Sequence, residues 1–149
     1  MSDKILVGWR EWVSLPALGI PAIKSKIDTG ARSSALHVCN LEDYHEHNRR
    51  KVKFTLHPLQ RQTKVEIICL ADVVDERTVS DSGGHRERRL VIRTPLKLAG
   101  REWPVEITLT NREDMLFRML IGRTAMLGRL LVDPELSYQC GRALRRAYR

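Results

Sequence analysis

At 149 residues the chain can bury a sizeable core as one domain and is too short for two complete lobes. A net charge of +8 favours acidic partners, yet aromatics make up only 5% and no recognition helix, RNA-binding signature or zinc-finger spacing is present, which disfavours nucleic acid. No apolar run reaches membrane length, no signal peptide is visible, and Cys39, Cys69 and Cys140 lack framework spacing, which fits free thiols in a reducing cytoplasm.

Most of the chain reads as short strands. Ile5 to Val13 is the first and carries Trp9 and Trp12. Pro21 to Asp28 is the second: Ile23, Ser25 and Ile27 share one face, Lys24 and Lys26 the other. This strand delivers Asp28 into the tight turn Asp28-Thr29-Gly30-Ala31, where Thr29 can lock the turn through its hydroxyl and Gly30 lets backbone approach closely. Ser34 to Cys39 reads as a third strand and Asn40 to Arg50 as a polar loop. Lys51 to His57 alternates strictly, and Pro58 to Gln62 turns the chain into Thr63 to Leu70, with Cys69 a core residue. Ala71 to Arg89 reads as a strand–turn–strand with Asp81-Ser82-Gly83-Gly84 at its tip. Leu90 to Leu98 leads to an Ala99-Gly100 turn, and Trp103 to Thr110 returns, with Pro104 marking an edge or bulge. Met119 to Ile121 is an apolar strand ending in Gly122-Arg123, and Thr124 to Leu130 has helical spacing. Residues 142–149 read as a basic, partly disordered tail. The pattern predicts one all-β, barrel-like domain over residues 1–149, with one short helix near its C-terminal end.

An Asp-Thr-Gly turn is by itself usually an ordinary turn. Two facing each other, however, place two carboxylates too close for both to ionise; the pair shares a proton and can activate a water. This chain has one such turn after an apolar strand; Asp81-Ser82-Gly83 sits among charges and reads as a turn tip. The second carboxylate is therefore expected from a second copy on a two-fold axis, in a homodimer.

Met119-Leu120-Ile121-Gly122-Arg123 resembles the apolar-apolar-Gly-Arg strand that retroviral-type aspartic proteases set beneath their Asp-Thr-Gly-Ala turn. Lys26 to His37, with Gly8-Trp9-Arg10-Glu11, Ser82-Gly83-Gly84, Thr108 to Arg112 with Met115, and Val132-Asp133-Pro134, resembles a bacterial retropepsin-like aspartic peptidase family associated with RimK-type ligases, often labelled ATP-dependent zinc proteases. The resemblance implies a retropepsin-like closed barrel with a flap hairpin. It implies Asp28, Thr29 and Gly30 as the catalytic turn, Ile121, Gly122 and Arg123 as its support, and Ala31 with the flap residues Ser82, Gly83 and Gly84 as substrate contacts, to which the charges of Arg32 and Arg86 add two more. Retroviral enzymes carry an acidic residue where this chain has Arg32, so Arg123 needs another partner: Asp133, Glu135 or a backbone carbonyl. Arg32 with Arg77, Arg86 and Arg88, beside the ligase association, points to acidic or glutamylated peptide substrates.

Zinc has candidates in His37-Val38-Cys39 and His45-Glu46-His47, but H-E-x-x-H and paired C-x-x-C are absent, so no metal is expected. No glycine-rich phosphate loop with a lysine appears, so no nucleotide cofactor is expected either. The first reading is thus a homodimeric aspartic endopeptidase. The alternative is a non-catalytic module of the same fold binding acidic peptides or nucleic acid, and the third is a zinc peptidase.

Overall fold

In a computed structural model, residues 3–80, 83–112 and 114–148 are described. The strands are β1 (Ile5–Val7), β2 (Arg10–Leu15), β3 (Ile20–Ile27), β4 (Ser34–Glu46), β5 (Arg49–Leu56), β6 (Ile67–Ser80), β7 (Arg86–Leu98), β8 (Arg101–Asn111), β9 (Met119–Ile121) and β10 (Leu130–Val132), with one helical turn α1 (Arg123–Met126). Eight strands form a sheet in the order β2-β3-β9-β4-β5-β6-β7-β8, and extra β2–β7 and β4–β8 pairings curl it into a ring. β1 and β10 pair in parallel beside it.

Period-two alternation builds the ring's interior. Val52, Phe54 and Leu56 of β5 point in while Lys51 and Lys53 point out; on β8, Trp103, Val105, Ile107 and Leu109 are buried between exposed Glu102, Pro104 and Glu106. Removing a fully buried side chain such as Phe54 costs about 3–5 kcal/mol. Pro104 stands directly opposite Pro95 of β7, on the part of β8 that β4, pairing only from Ile107 onward, does not reach.

Several boundaries differ from the sequence reading. The expected loop over 40–50 is a hairpin: β4 runs on to Glu46, and His47 (φ 52°) and Asn48 (φ 63°) make the turn. Its polarity reflects a strand with no fully buried residue beyond Val38, where only Cys39, Leu41 and Tyr44 are half-buried, not irregular chain. β6 starts at Ile67 instead of Thr63, because the Gln62 side-chain carbonyl accepts the Lys64 and Val65 N–H groups (2.9 and 3.3 Å) and holds a turn there. The helix stops at Met126, two residues before Gly128 at φ 75°, and Leu130 already belongs to β10. The expected loose tail is instead a 3-10 helix, Ala143–Tyr148, against β3, with the Tyr148 hydroxyl donating to the Ala22 carbonyl.

The predicted first strand is two, broken at Gly8. A Cβ there would lie 2.0 Å from the Leu136 carbonyl oxygen. This crossing brings residues 136–140 across the start of β2, where Trp9 N–H donates to Leu136 O (2.9 Å) and Tyr138 N–H to Arg10 O (3.0 Å). The fully buried Glu11 carboxylate sits between the layers and accepts the N–H groups of Gly8 (2.7 Å), Gln139 (2.8 Å) and Cys140 (3.0 Å). Amide dipoles replace the hydration this charge gave up. Burial and then the Glu11 charge push the Cys140 thiol up to about 11, and burial takes Cys69 to about 12, so both are protonated and unreactive at neutral pH.

Truncating Glu11 leaves those amides buried without an acceptor. We predict that Glu11→Ala loses about 3–5 kcal/mol, and that Glu11→Gln, which keeps one acceptor oxygen, loses less. Thermal melting with amide hydrogen exchange at Gly8, Gln139 and Cys140 reads this; an unchanged melting temperature for the alanine variant would sink it.

Candidate active site

β3 ends at Ile27, and Asp28 opens the turn with its N–H donated to the Ile121 carbonyl of β9 (2.9 Å). Inside the turn, Ala31 N–H donates to Asp28 O (3.2 Å) and Gly30 N–H to Asp28 Oδ1 (2.9 Å). A Cβ on Gly30 would lie 3.1 Å from that same Oδ1, so glycine gives the carboxylate room. Asp28 is half-buried while Thr29 and Gly30 are exposed, so the carboxylate opens to solvent on one side.

The turn is gripped from outside. Arg123 N–H donates to Ala31 O (2.8 Å) and Thr124 N–H to Arg32 O (3.1 Å), while the Arg123 guanidinium donates to Thr29 O (2.9 Å). The partner of Arg123 is thus a backbone carbonyl; Asp133 instead accepts the Glu135 N–H (3.0 Å) in its own turn. Gly122 N–H donates to Ser34 Oγ (3.1 Å), and a Cβ on Gly122 would lie 2.5 Å from the Ser33 carbonyl. Only glycine lets β9 cross there. The Trp103 indole N–H donates to Ala125 O (3.1 Å), fixing α1, and with it residues 122–124, to β8.

Asp28, Thr29, Gly30, Ala31, Arg32, Ile121, Gly122 and Arg123 therefore form one hydrogen-bonded frame, with Arg32 exposed beside it. Gly83, Gly84 and Arg86 stand apart from it, exposed at the tip of the β6–β7 arm; Ser82 lies outside the described residues. From Val74 to the end of β6, and in β7 before Leu90, no residue is buried, so the arm projects from the core. Its arginines are largely matched: Arg77 pairs with Asp75 and Glu106 (both 2.7 Å) and Arg88 with Glu76 (3.0 Å). The Glu76 N–H, and then Arg77, hold the Asp75 carboxyl below its ordinary range.

The proposed zinc ligands do not converge. His37 is buried with Nδ1 2.6 Å from Thr110 Oγ1, and its pKa is lowered to about 4, first by burial and then by the nearby Arg89 and Arg112 charges. His45 and His47 are exposed at the far end of the β4–β5 hairpin. Among the described residues no group of three or more His, Cys, Asp and Glu is arranged to hold a metal ion. Sequence reasoning quoted Glu11 within Gly8-Trp9-Arg10-Glu11 without assigning it a role. Its signal was a charged residue in register with the buried Val13 and Leu15.

Gly122 and Gly30 separate support from chemistry. Gly122→Ala forces backbone against backbone and should cost about 3 kcal/mol, seen as a lower melting temperature. Gly30→Ala meets only the movable Asp28 side chain and should change stability by about 0.5 kcal/mol or less. Equal melting temperatures for the two variants would refute the assigned roles.

A model of the RimB-like family, described as retropepsin-like aspartic endopeptidase RimB, matches residues 6–142. The chain is 48% identical over 141 residues to a probable alpha-L-glutamate ligase of Parasynechococcus marenigrum (strain WH8102), covering 95% of this chain and 30% of that one. A ligase of the same description from Shewanella pealeana is 45% identical over 142 residues, covering 95% and 31%. The chain thus spans under a third of the length of these relatives. A crystal structure of Lpg0085, a Legionella pneumophila protein of unknown function, superposes with a TM-score of 0.77 at 24% identity, covering 93% of this chain and 99% of that one, a likeness of fold. With a family model matched across nearly its whole length, the chain belongs to the RimB-like family of retropepsin-like aspartic endopeptidases.

Proposed function

We propose that the chain is an aspartic endopeptidase that works as a homodimer, with one Asp28 from each copy. The observation that carries this reading is the Asp28 carboxylate, open to solvent on a turn whose position is fixed by the Gly122 crossing and the Arg123 bonds. In the sequence, Asp28-Thr29-Gly30 is the Asp-Thr/Ser-Gly that follows an apolar strand, so a two-fold axis through this turn supplies the mate. One carboxylate, as base, takes a proton from a water lying between the pair. The other, as acid, protonates the oxygen of the scissile carbonyl. The resulting diol collapses: the C–N bond breaks, the amine leaves with a proton, and the pair is again singly protonated. The β6–β7 arm, little buried and ending in Gly83-Gly84, serves as the flap that covers substrate.

The substrate class follows from charge and context. Arg32 is an exposed guanidinium next to the turn, suited to a carboxylate. Relatives named as glutamate ligases contain a segment like this chain, and a peptidase working alongside glutamate addition meets acidic, glutamate-bearing polypeptides.

The same relatives favour a second reading, in which the domain presents acidic polypeptides to a ligase without cutting them. Asp28→Asn separates the two. It keeps the shape of the turn but removes the ionisable pair, so cleavage of a glutamate-rich peptide should fall by a factor of about a thousand or more at unchanged melting temperature. An Asn variant that cleaves like the parent ends the catalytic assignment. Chelation should leave the rate unaltered, and a loss restored by added zinc would favour the metal peptidase. Specific activity should also fall on dilution through the dimer dissociation constant; an active, strictly monomeric species in sedimentation would overturn the shared-site mechanism.

A further inference from the structure

A groove of about 590 Å³ lies over the outer face of β2 and β3. Trp12 and Lys24 face each other there across the two strands, on the side opposite the buried Val13 and Ile23. Trp9, Arg10, Arg61 and Arg145 also line it, and no carboxylate does. Among the described residues, Arg10, Lys24, Arg61 and Arg145 take part in no ion pair, whereas Arg50, Arg77, Arg88 and Arg112 all do. Cations gathered around one hollow without counter-charges repel one another and draw in an anion.

Two of these cations are held in place. The Arg10 guanidinium lies 4.5 Å from the Trp9 ring centre and 4.9 Å from that of Tyr138, with Nε donating to Ser137 Oγ (3.3 Å). The Lys24 ammonium sits 5.4 Å from the Trp12 ring centre and donates to Gln60 Oε1 (2.9 Å). The oxygens of Gln60 and Gln62 are engaged by Lys24 and by backbone N–H groups, which leaves their amide NH₂ groups as donors in the lining. Of the rings that could stack on bases, Trp9 and Trp12 already carry a cation on a face, and Phe117 meets the Trp9 ring edge-on at 5.8 Å. That arrangement favours carboxylates over single-stranded nucleic acid. The groove also begins beside the turn, for the Trp9 carbonyl accepts the N–H of Ile27, the residue before Asp28 (2.7 Å).

We propose that this groove is a second binding site, for the carboxylate side chains of an acidic polypeptide whose scissile bond lies at Asp28. The proposal rests on the acidic-substrate reading above and adds contacts outside the Asp28 turn itself, which Arg77 and Arg88 of the arm, already paired, are poorly placed to supply.

The test is binding, not turnover. A dye-labelled oligo-glutamate of about ten residues, spanning ~33 Å when extended, is titrated into Asp28→Asn protein and followed by anisotropy. Lys24→Glu with Arg145→Glu should weaken binding about tenfold, since two contacts become repulsive. Lys4→Glu with Lys53→Glu makes the same change in net charge outside the groove and should shift affinity by about twofold or less. Melting curves establish that both doubly substituted proteins are folded. Equal weakening by both pairs, no weakening by the first, or tighter binding of an oligo-thymidylate of equal charge each overturns the proposal. Because no bond is cut in this assay, a groove that fails leaves the Asp28 chemistry standing, and a non-catalytic Asp28 leaves the titration interpretable.

Discussion

A Cβ at position 122 would lie 2.5 Å from the carbonyl carbon of Ser33, and the chain on either side of that contact decides the geometry of the site. The Asp28 turn is too exposed to be held by packing. Its rigidity is borrowed from residues 121–124, which meet it through main-chain atoms and the Arg123 guanidinium. Those residues are in turn fixed by β9, wedged between β3 and β4, and by α1 tied to Trp103. A catalytic carboxylate needs such support, because small displacements of a reacting group are costly. Here the support consists of backbone bonds that side-chain drift hardly disturbs.

The molecule handles charge in contrasting ways at its different levels. Inside, Glu11 is surrounded by amides and joins the start of β2 to residues 139–140. On the arm, cross-strand ion pairs such as Arg88 with Glu76 cancel much of the basic composition, and being exposed they contribute little to stability. The surplus of +8 is therefore unevenly spent, and the groove over β2 and β3 is where cations lie together without carboxylates.

Local patterns were the most legible part of the sequence. The alternation in Ile23, Ser25 and Ile27 found β3, and the Gly-Arg ending of β9 found the element that crosses under the turn. Both signals are short-range and physically strict: a half-buried strand must alternate, and a close crossing must have glycine. The β4–β5 hairpin was missed because a strand that buries no residue fully has nearly the composition of a loop. The C-terminal 3-10 helix was missed because what orders it, Tyr148 reaching Ala22, is a contact between residues 126 apart in the chain. Glu11 and the groove were opaque for the same reason: their partners come from the far end of the sequence.

His37 carries a consequence for where such a protein can remain folded. Its imidazole is buried against Thr110 among arginines, and its pKa falls to about 4 from an ordinary 6.5. Between those values the unfolded chain takes up a proton that the native state refuses. Stability from this residue is therefore complete above the unfolded value and declines as the medium acidifies, by up to about 1.4 kcal/mol per pH unit across the window. Aspartic chemistry is commonly associated with acid, but this chain places an acid-sensitive ring on β4, the strand that follows the Asp28 turn. Acid therefore works against the native state at a ring that takes no part in the hydrogen-bonded frame around Asp28.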